Sequence, residues 1–152
     1  MTDKKELKVS AIKNGTVIDH IPAKDLFTVI SILKLEKLEN HLTIGNNLES
    51  KKLGRKAIVK ISGKYFEDED INKIALVAPQ AKLNIIKDYV VVDKKSVEVP
   101  EKAIGIARCV NPKCITNNEK VTTKFKVMLG KEISLKCHYC EKITDRANMV
   151  IL

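Results

Sequence analysis

The four cysteines of this 152-residue chain all fall in its last 52 residues: Cys109 and Cys114 with four residues between them, then, after an interval of 22 residues, Cys137 and Cys140 with two between. Two close pairs separated by roughly 15–25 residues are how a zinc ribbon offers four thiolates to one tetrahedral ion, each pair on a tight loop. Two disulfides fit less well, because residues 1–8 are polar where a signal peptide needs an apolar run, and a chain kept in the cytoplasm seldom holds structural disulfides. A redox Cys-x-x-Cys fits less well too, since this one does not open a helix after a strand. Zinc is therefore the expected metal, with iron as the residual chemistry for the same cage. His138 lies inside the second loop, but four thiolates already close the shell, so it is read as a surface residue. A closed shell leaves no position for water, and the ion is structural.

The tail that carries this cluster is poor in large apolar residues, which makes a stable core improbable without a metal or cross-link. The chain as a whole is +9, and basic charge alone is compatible with nucleic acid, an anionic ligand or a solvated surface. Residues 1–100 carry 18 Lys and Arg against 14 Asp and Glu, and the tail 10 against 5. Four thiolates and one divalent ion would bring the tail from +5 to +3, weakening the electrostatic case for nucleic acid. No apolar run approaches the ~20 residues of a membrane span, and the location expected is cytoplasmic.

The elements ahead of the tail follow from hydrophobic period. Residues 7–13 alternate as a strand, meet the turn dipeptide Asn14-Gly15, and resume over 16–19. Pro22 suits a first helical turn, with Leu26, Phe27, Val29, Ile30 and Leu33 as the apolar face of a helix over 23–35. Strands are expected at 42–48 and 56–62. Acids 67–70 open a second helix that Pro79 ends, and 82–92 supplies one or two strands around Asp88. Strand, helix, strand, strand, helix, strand is the ferredoxin-like split βαβ order, an antiparallel sheet with both helices on one face and the other face open. Period 2 sends Lys60 to the open side and puts Asn84 and Ile86 on one face. The polar stretch 93–102, with Pro100, reads as the connection. The fold class expected is α+β, a ferredoxin-like domain over 1–100 followed by a small β-rich, zinc-ribbon-like domain over 101–152.

Several stretches carry a more specific likeness. Residues Gly15-Thr16-Val17-Ile18-Asp19-His20-Ile21-Pro22, then Gly54-Arg55-Lys56 leading to Lys60, then Ala78-Pro79-Gln80-Ala81 followed by Asn84, and the cysteine tail with Cys137-His138-Tyr139-Cys140-Glu141-Lys142 resemble, in order, the regulatory chain of aspartate carbamoyltransferase. The resemblance implies a non-catalytic chain whose first domain binds allosteric nucleotide, CTP inhibiting, ATP activating and UTP acting with CTP. It also implies a zinc domain that docks on a separate catalytic chain, with three regulatory dimers bridging two catalytic trimers. By matched motif, Asp19 and Lys60 would meet the ribose region, and His20 and Lys94 the phosphates. Ile12, Asn84, Ile86, Tyr89 and Val91 would surround the base. Asn47 and Lys56 would help hold a second, Mg-bridged nucleotide.

Elementary chemistry agrees with these roles. A triphosphate needs several cations, which Lys60, Lys94 and a protonated His20 supply, and backbone groups near Ala11 and Ile12 have the fixed directions that distinguish a pyrimidine edge from a purine edge. One departure stands out: Met128, Leu129 and Gly130 occupy a segment where the family can present basic residues, which leaves Asn111, Tyr139, Glu141 and Lys142 as docking candidates. A nucleic-acid-binding protein is the competing reading; three Phe, three Tyr, no Trp and a central strand AIVKIS without aromatics tell against it. A self-contained enzyme lacks an activated nucleophile. Self-association is expected through the first domain, where the apolar strand 42–48 lies at a sheet edge that is normally covered or paired.

Overall fold

The computed structural model describes residues 11–152. Its first half is a five-stranded antiparallel sheet in the order β2-β3-β1-β4-β5. The strands are β1 (Gly15–Pro22), β2 (Leu42–Ser50), β3 (Gly54–Ser62), β4 (Lys82–Lys87) and β5 (Val90–Ser96). The helices are α1 (Leu26–Ile32) and α2 (Asp68–Asn72), the first entered through a 3-10 turn at Ala23–Asp25 and the second continued by one at Lys73–Leu76. Both pack on the same face: Leu26 and Val29 of α1 and Ile71 of α2 join Ile18, Ile21, Ala57, Val59, Ile61 and Leu83 in one buried cluster. This is the split βαβ arrangement, extended by β5 as a hairpin partner of β4. The hairpin turns on Asp88 and Tyr89, both with positive φ, as a two-residue turn matching the right-handed strand twist requires.

Several elements differ from the sequence expectation. The strand over 7–13 lies mostly outside the described residues, and its described end, Ala11 to Lys13, is not strand. Pro22 closes β1 and precedes the first helical turn instead of opening it. Phe27 is 74% exposed, because the short α1 turns only Leu26 and Val29 fully inward. The stretch read as a connection begins with strand: Asp93, Lys94, Lys95 and Ser96 pair with Ile85, Asn84, Leu83 and Lys82. Hydrogen-bonding to β4 overrides a polar composition there, since an edge strand exposed on both sides has no apolar period to display.

The tail forms a four-stranded sheet, β10-β9-β8-β6, and a two-stranded one, β11-β7. Its strands are β6 (Lys102–Ile104), β7 (Ala107–Arg108), β8 (Lys124–Met128), β9 (Ser134–Cys137), β10 (Ile143–Thr144) and β11 (Val150–Ile151), with one helical turn, α3 (Ile115–Asn118). Its core sets Ala103, Phe125, Val127 and Leu135 beside Cys109, Cys114 and Cys137. Among the described residues, no helix is long and apolar enough to cross a membrane.

The two halves are joined by more than the chain. Leu76 of the first half is buried in the tail's core, and Val99 and Met149 pack against both cores. Arg146 donates to the Asp25 carboxylate at 3.1 Å and to the carbonyl of Val77, with only 23% and 15% of the Arg146 and Asp25 side chains exposed. Asp145 caps the turn that carries Arg146, its Oδ1 accepting from the Asn148 amide at 3.0 Å. Burial pushes the Asp25 carboxyl above its ordinary 3.8, against the pull of Arg146 and Lys24. The pair is therefore costly to form and more costly to break, because losing the guanidinium strands a desolvated carboxylate.

Arg146→Ala should lower stability by about 2–3 kcal/mol in urea titration, while Asp25→Asn should cost less. The raised pKa also fixes a pH signature. The folded chain takes up the Asp25 proton before the unfolded chain does, so in the window just above 3.8 wild-type stability falls as pH rises, and the advantage of wild type over Asp25→Asn should shrink through that window.

Candidate functional site

The open face of the first sheet is built by strand register. Thr43 of β2 pairs with Lys60 of β3, Lys60 with Val17 of β1, Val17 with Asn84 of β4, and Asn84 with Lys94 of β5. Directly paired residues share a face, so these five form one row across the whole sheet. Toward one end of the row, Ile12, Val17 and Ile86 form a small buried cluster with Ile58 against it, on the side away from the helices. Val91 is the register partner of Ile86. That end is pinned by polar contacts: the Tyr89 amide donates to the Lys13 carbonyl at 2.9 Å, the Asp88 amide to Asn14 Oδ1 at 3.1 Å, and Tyr65 Oη to the Ile86 carbonyl at 2.9 Å. Gly15, at the foot of β1, has φ +142°, and a Cβ there would fall 2.0 Å from the Ile61 carbonyl oxygen.

Toward the other end the face turns ionic. β1 pairs Ile18 with Val59 and Ile21 with Ala57, so Asp19 and His20 form a bulge, with His20 at φ 60°. β2 has a matching bulge on the opposite flank of β3, between Gly45 and Leu48, with Asn47 at φ 57°. Lys56 lies at the level where both bulges end and makes a 3.0 Å ion pair with Asp19. The His20 amide donates to Asp19 Oδ1 at 2.6 Å. His20 Nδ1, 3.7 Å from that same oxygen, is buried without a hydrogen-bond partner among the described residues, as is Asn46 Oδ1. Burial pulls the Lys60 ammonium below its usual range, opposed by the Asp19 carboxylate. The structure thus brings Asp19, His20, Lys56, Lys60, Asn84 and Lys94 onto one polar band, beside an apolar floor containing Ile12, Ile86 and Val91, with Asn47 in the β2 bulge on the other flank of β3. Tyr89 stands at the hairpin tip, largely exposed.

The second constellation is the sulfur cluster. The Sγ atoms of Cys109, Cys114, Cys137 and Cys140 all lie within 4.8 Å of one another, with Cys109 and Cys140 3.5 Å apart and Cys114 and Cys137 3.7 Å apart. A tetrahedron of sulfurs about 2.3 Å from a zinc ion has edges of about 3.8 Å, so the donors already stand at ligating separation. Amides are aimed at the sulfurs: that of Asn111 at Cys109, those of Tyr139 and Cys140 at Cys137, and that of Lys142 at Cys140. Burial and the neighbouring thiols push Cys109 up to about 12; at Cys140 burial is outweighed by the Lys142 amide, the Asn111 side chain and the adjacent thiols, which bring it down to about 7. Unshared proton affinities of this kind are what a divalent cation resolves, by replacing the protons altogether.

Sequence reasoning missed the residues that hold these loops. Asn117 Nδ2 donates to the Cys109 carbonyl at 3.0 Å and the Asn111 carbonyl at 2.7 Å, Asn118 Nδ2 to the Cys114 carbonyl at 2.8 Å, and Thr116 Oγ1 to Cys114 Sγ at 3.2 Å. The signal was present as polar residues at positions two to four after a cysteine, where short side chains reach back to the loop. Of the docking candidates, Asn111 is half-buried and shapes the first loop, its Oδ1 accepting from the Lys113 amide at 3.0 Å. Tyr139, Glu141 and Lys142 are exposed on the second. His138 is exposed as expected and meets the Tyr139 ring edge-on at 5.0 Å.

Comparison with known proteins decides the family. Residues 7–98 match the family model described as the allosteric domain of the aspartate carbamoyltransferase regulatory chain, and residues 101–150 match its metal binding domain. This chain belongs to the aspartate carbamoyltransferase regulatory chain family. It is 55% identical over 150 residues to the regulatory chain of Bacteroides fragilis, covering 99% of this chain and 98% of that one. It is 54% identical over 153 residues to that of Phocaeicola vulgatus, covering 100% and 99%, and 56% identical over 147 residues to that of Pyrococcus abyssi, covering 95% and 97%. As an aspartate carbamoyltransferase regulatory chain it is a non-catalytic, allosteric subunit. The open-face row lies within its allosteric match and the sulfur cluster within its metal-binding match.

Because Asn117 fixes the backbone of the first cysteine loop without touching the metal position, Asn117→Ala should weaken metal retention by about 10–100-fold in competition with a chelator, while the first half of the chain stays folded.

Proposed function

We propose that residues 1–100 bind nucleoside triphosphates on the open sheet face and that residues 101–152, held by one zinc ion, carry the resulting signal to aspartate carbamoyltransferase catalytic chains. The observation that carries this reading is the row Thr43, Lys60, Val17, Asn84, Lys94, a cationic band against an apolar floor. A nucleotide has the same polarity from base to phosphates. Ile12, Asn84, Ile86, Tyr89 and Val91 face the base, Asp19 and Lys60 the ribose, and His20 and Lys94 the phosphates, with CTP and ATP as alternative occupants. The unpartnered Nδ1 of His20 supports a ligand at the bulge. Asn47 of β2 and Lys56 of β3 are assigned to a second, Mg-bridged nucleotide such as UTP.

Zinc suits the donor set, since four thiolates at tetrahedral separation with amides aimed at sulfur form a closed, non-catalytic shell. Asn111, Tyr139, Glu141 and Lys142 then stand on rigid loops, as a docking surface needs. β2, an edge strand with Ile44 exposed, is assigned to contact with a second copy, so that three regulatory dimers bridge two catalytic trimers. The route between nucleotide and dock runs through Leu76, Val99, Met149 and the Asp25–Arg146 pair.

Calorimetric titration tests the first part: CTP and ATP should compete for one site, and Lys60→Ala and Lys94→Ala should each weaken binding by about 1.5–3 kcal/mol, the usual contribution of a charge-assisted contact. Wild-type affinity in both variants overturns the assignment. For the tail, metal analysis should return one zinc per chain, and Cys114→Ala should unfold the tail while leaving nucleotide binding in place. A fully folded chain without zinc overturns that part.

A further inference from the structure

Asn14-Gly15 bends the chain ahead of β1, as its residue types predict. The bend lays Ile12 over the foot of that strand, its Cδ1 3.1 Å from where a Gly15 Cβ would stand, so that Ile12 joins Val17 and Ile86 on the open face. The same bend carries Lys13 and Asn14 to the β4–β5 hairpin, which turns through Asp88 and Tyr89 at φ 52° and 67°. Asn-Gly normally supplies two consecutive left-handed residues in such a turn, and an aspartate followed by an aromatic residue is a strained occupant. A two-residue turn also leaves the amides of both central residues without ladder partners. Here each has one: the Asp88 amide donates to Asn14 Oδ1 at 3.1 Å, and the Tyr89 amide to the Lys13 carbonyl at 2.9 Å. Burial does not hold the turn, since Asp88 is exposed and Tyr89 is 67% exposed. Strained backbone persists where its surroundings over-determine it, and it clusters at ligand sites.

We propose that Asn14 is a positioning residue for the base end of the nucleotide site: by holding the Asp88 amide it keeps the turn left-handed and sets where Tyr89 and Val91 stand against the floor of Ile12 and Ile86. The inference rests on the reading that the open face binds nucleoside triphosphates. Any residue at position 13 offers the same carbonyl to Tyr89, whereas only a short side chain bearing an oxygen offers the second acceptor, so the dependence falls on Asn14. Tyr65 secures the preceding strand from the other side, its Oη donating to the Ile86 carbonyl at 2.9 Å. Between the turn and the cations, β5 carries a bulge: Val91 pairs with Ile86 and Asp93 with Ile85, leaving Val92 extra. Lys94 lies beyond that bulge, opposite Asn84 on the regular part of the ladder. A loosened turn therefore disturbs the base end and spares the phosphate end.

The test uses the full-length, zinc-loaded chain, with CTP affinity measured by calorimetry over a range of salt concentrations. Asn14→Ala should weaken CTP about five-fold or more, the scale of one lost hydrogen bond. Its slope of affinity against salt should stay as in wild type, because the cations that meet the phosphates are unmoved, whereas Lys60→Ala should flatten that slope. Asn14→Asp keeps the acceptor oxygen and should bind CTP within about two-fold of wild type at physiological salt. Asn14→Ala combined with Asp88→Gly should recover most of the lost affinity, since glycine takes a positive φ without a clamp. Wild-type affinity in Asn14→Ala, a salt slope flattened as far as in Lys60→Ala, or no recovery in the double variant overturns the inference and leaves nucleotide binding standing. If the wild-type chain binds neither CTP nor ATP, the reading beneath the inference falls and takes it along.

Discussion

Four sulfur atoms within 4.8 Å of one another are the constraint on which the second half of this chain depends. Three of the four cysteines are themselves core residues, packed with Phe125 and Leu135, so the cluster is the centre of the tail's interior and its metal site at once. Strands of two to five residues cannot bury enough apolar surface to hold themselves, and a chain of about fifty residues gains the missing free energy from a cross-link or an ion. The amides of Asn111, Tyr139 and Lys142, each aimed at a sulfur, exist because the loops are tight enough to present them. Everything assigned to the tail's surface inherits its rigidity from that cluster.

The first half is organised differently, by strand register. Both helices cover one face, and the other is left to a row in which apolar Val17 separates Lys60 from Asn84 and Lys94. Its coupling to the tail passes through a shared interior, where Leu76 crosses into the tail's core and Met149 touches both. The Asp25–Arg146 pair adds direction to that contact more than strength, since burial of Asp25 offsets much of what the guanidinium returns.

The elements legible in the sequence were those with a strong period or a strong spacing. Val59 and Ile61 alternate cleanly against Lys60, and the cysteine spacings predict the tail's cluster without any structural help. What escaped had no local signature. The bulges at Asp19-His20 and Asn46-Asn47 are consequences of pairing with β3; Gly45-Asn46-Asn47 has turn-prone residues, but they lie inside a strand and do not reverse the chain. Arg146 and Asp25 are 121 residues apart, and nothing near either one announces the other. The second half of β5, from Asp93 to Ser96, was hidden because both faces of the strand are exposed, which erases the alternation that marks a strand. The exposure of Phe27 is a tertiary outcome of where so short a helix lands.

The paired bulges also restrict how this sequence can vary. Ile18 and Ile21 both point into the helix-facing core although they are three residues apart, an odd separation that an unbroken strand cannot accommodate. Removing a single residue from 19–20 would leave Ile18 and Ile21 two apart in a regular ladder, both still inward, and removing one from 46–47 would do the same for Gly45 and Leu48; what is lost is the bulge itself and the positive-φ residue it carries. A deletion there keeps the core in register and gives up the placement of His20 or Asn47. Among descendants of a common ancestor that keep a ligand at these bulges, the count of residues between Ile18 and Ile21, and between Gly45 and Leu48, behaves as an inherited integer.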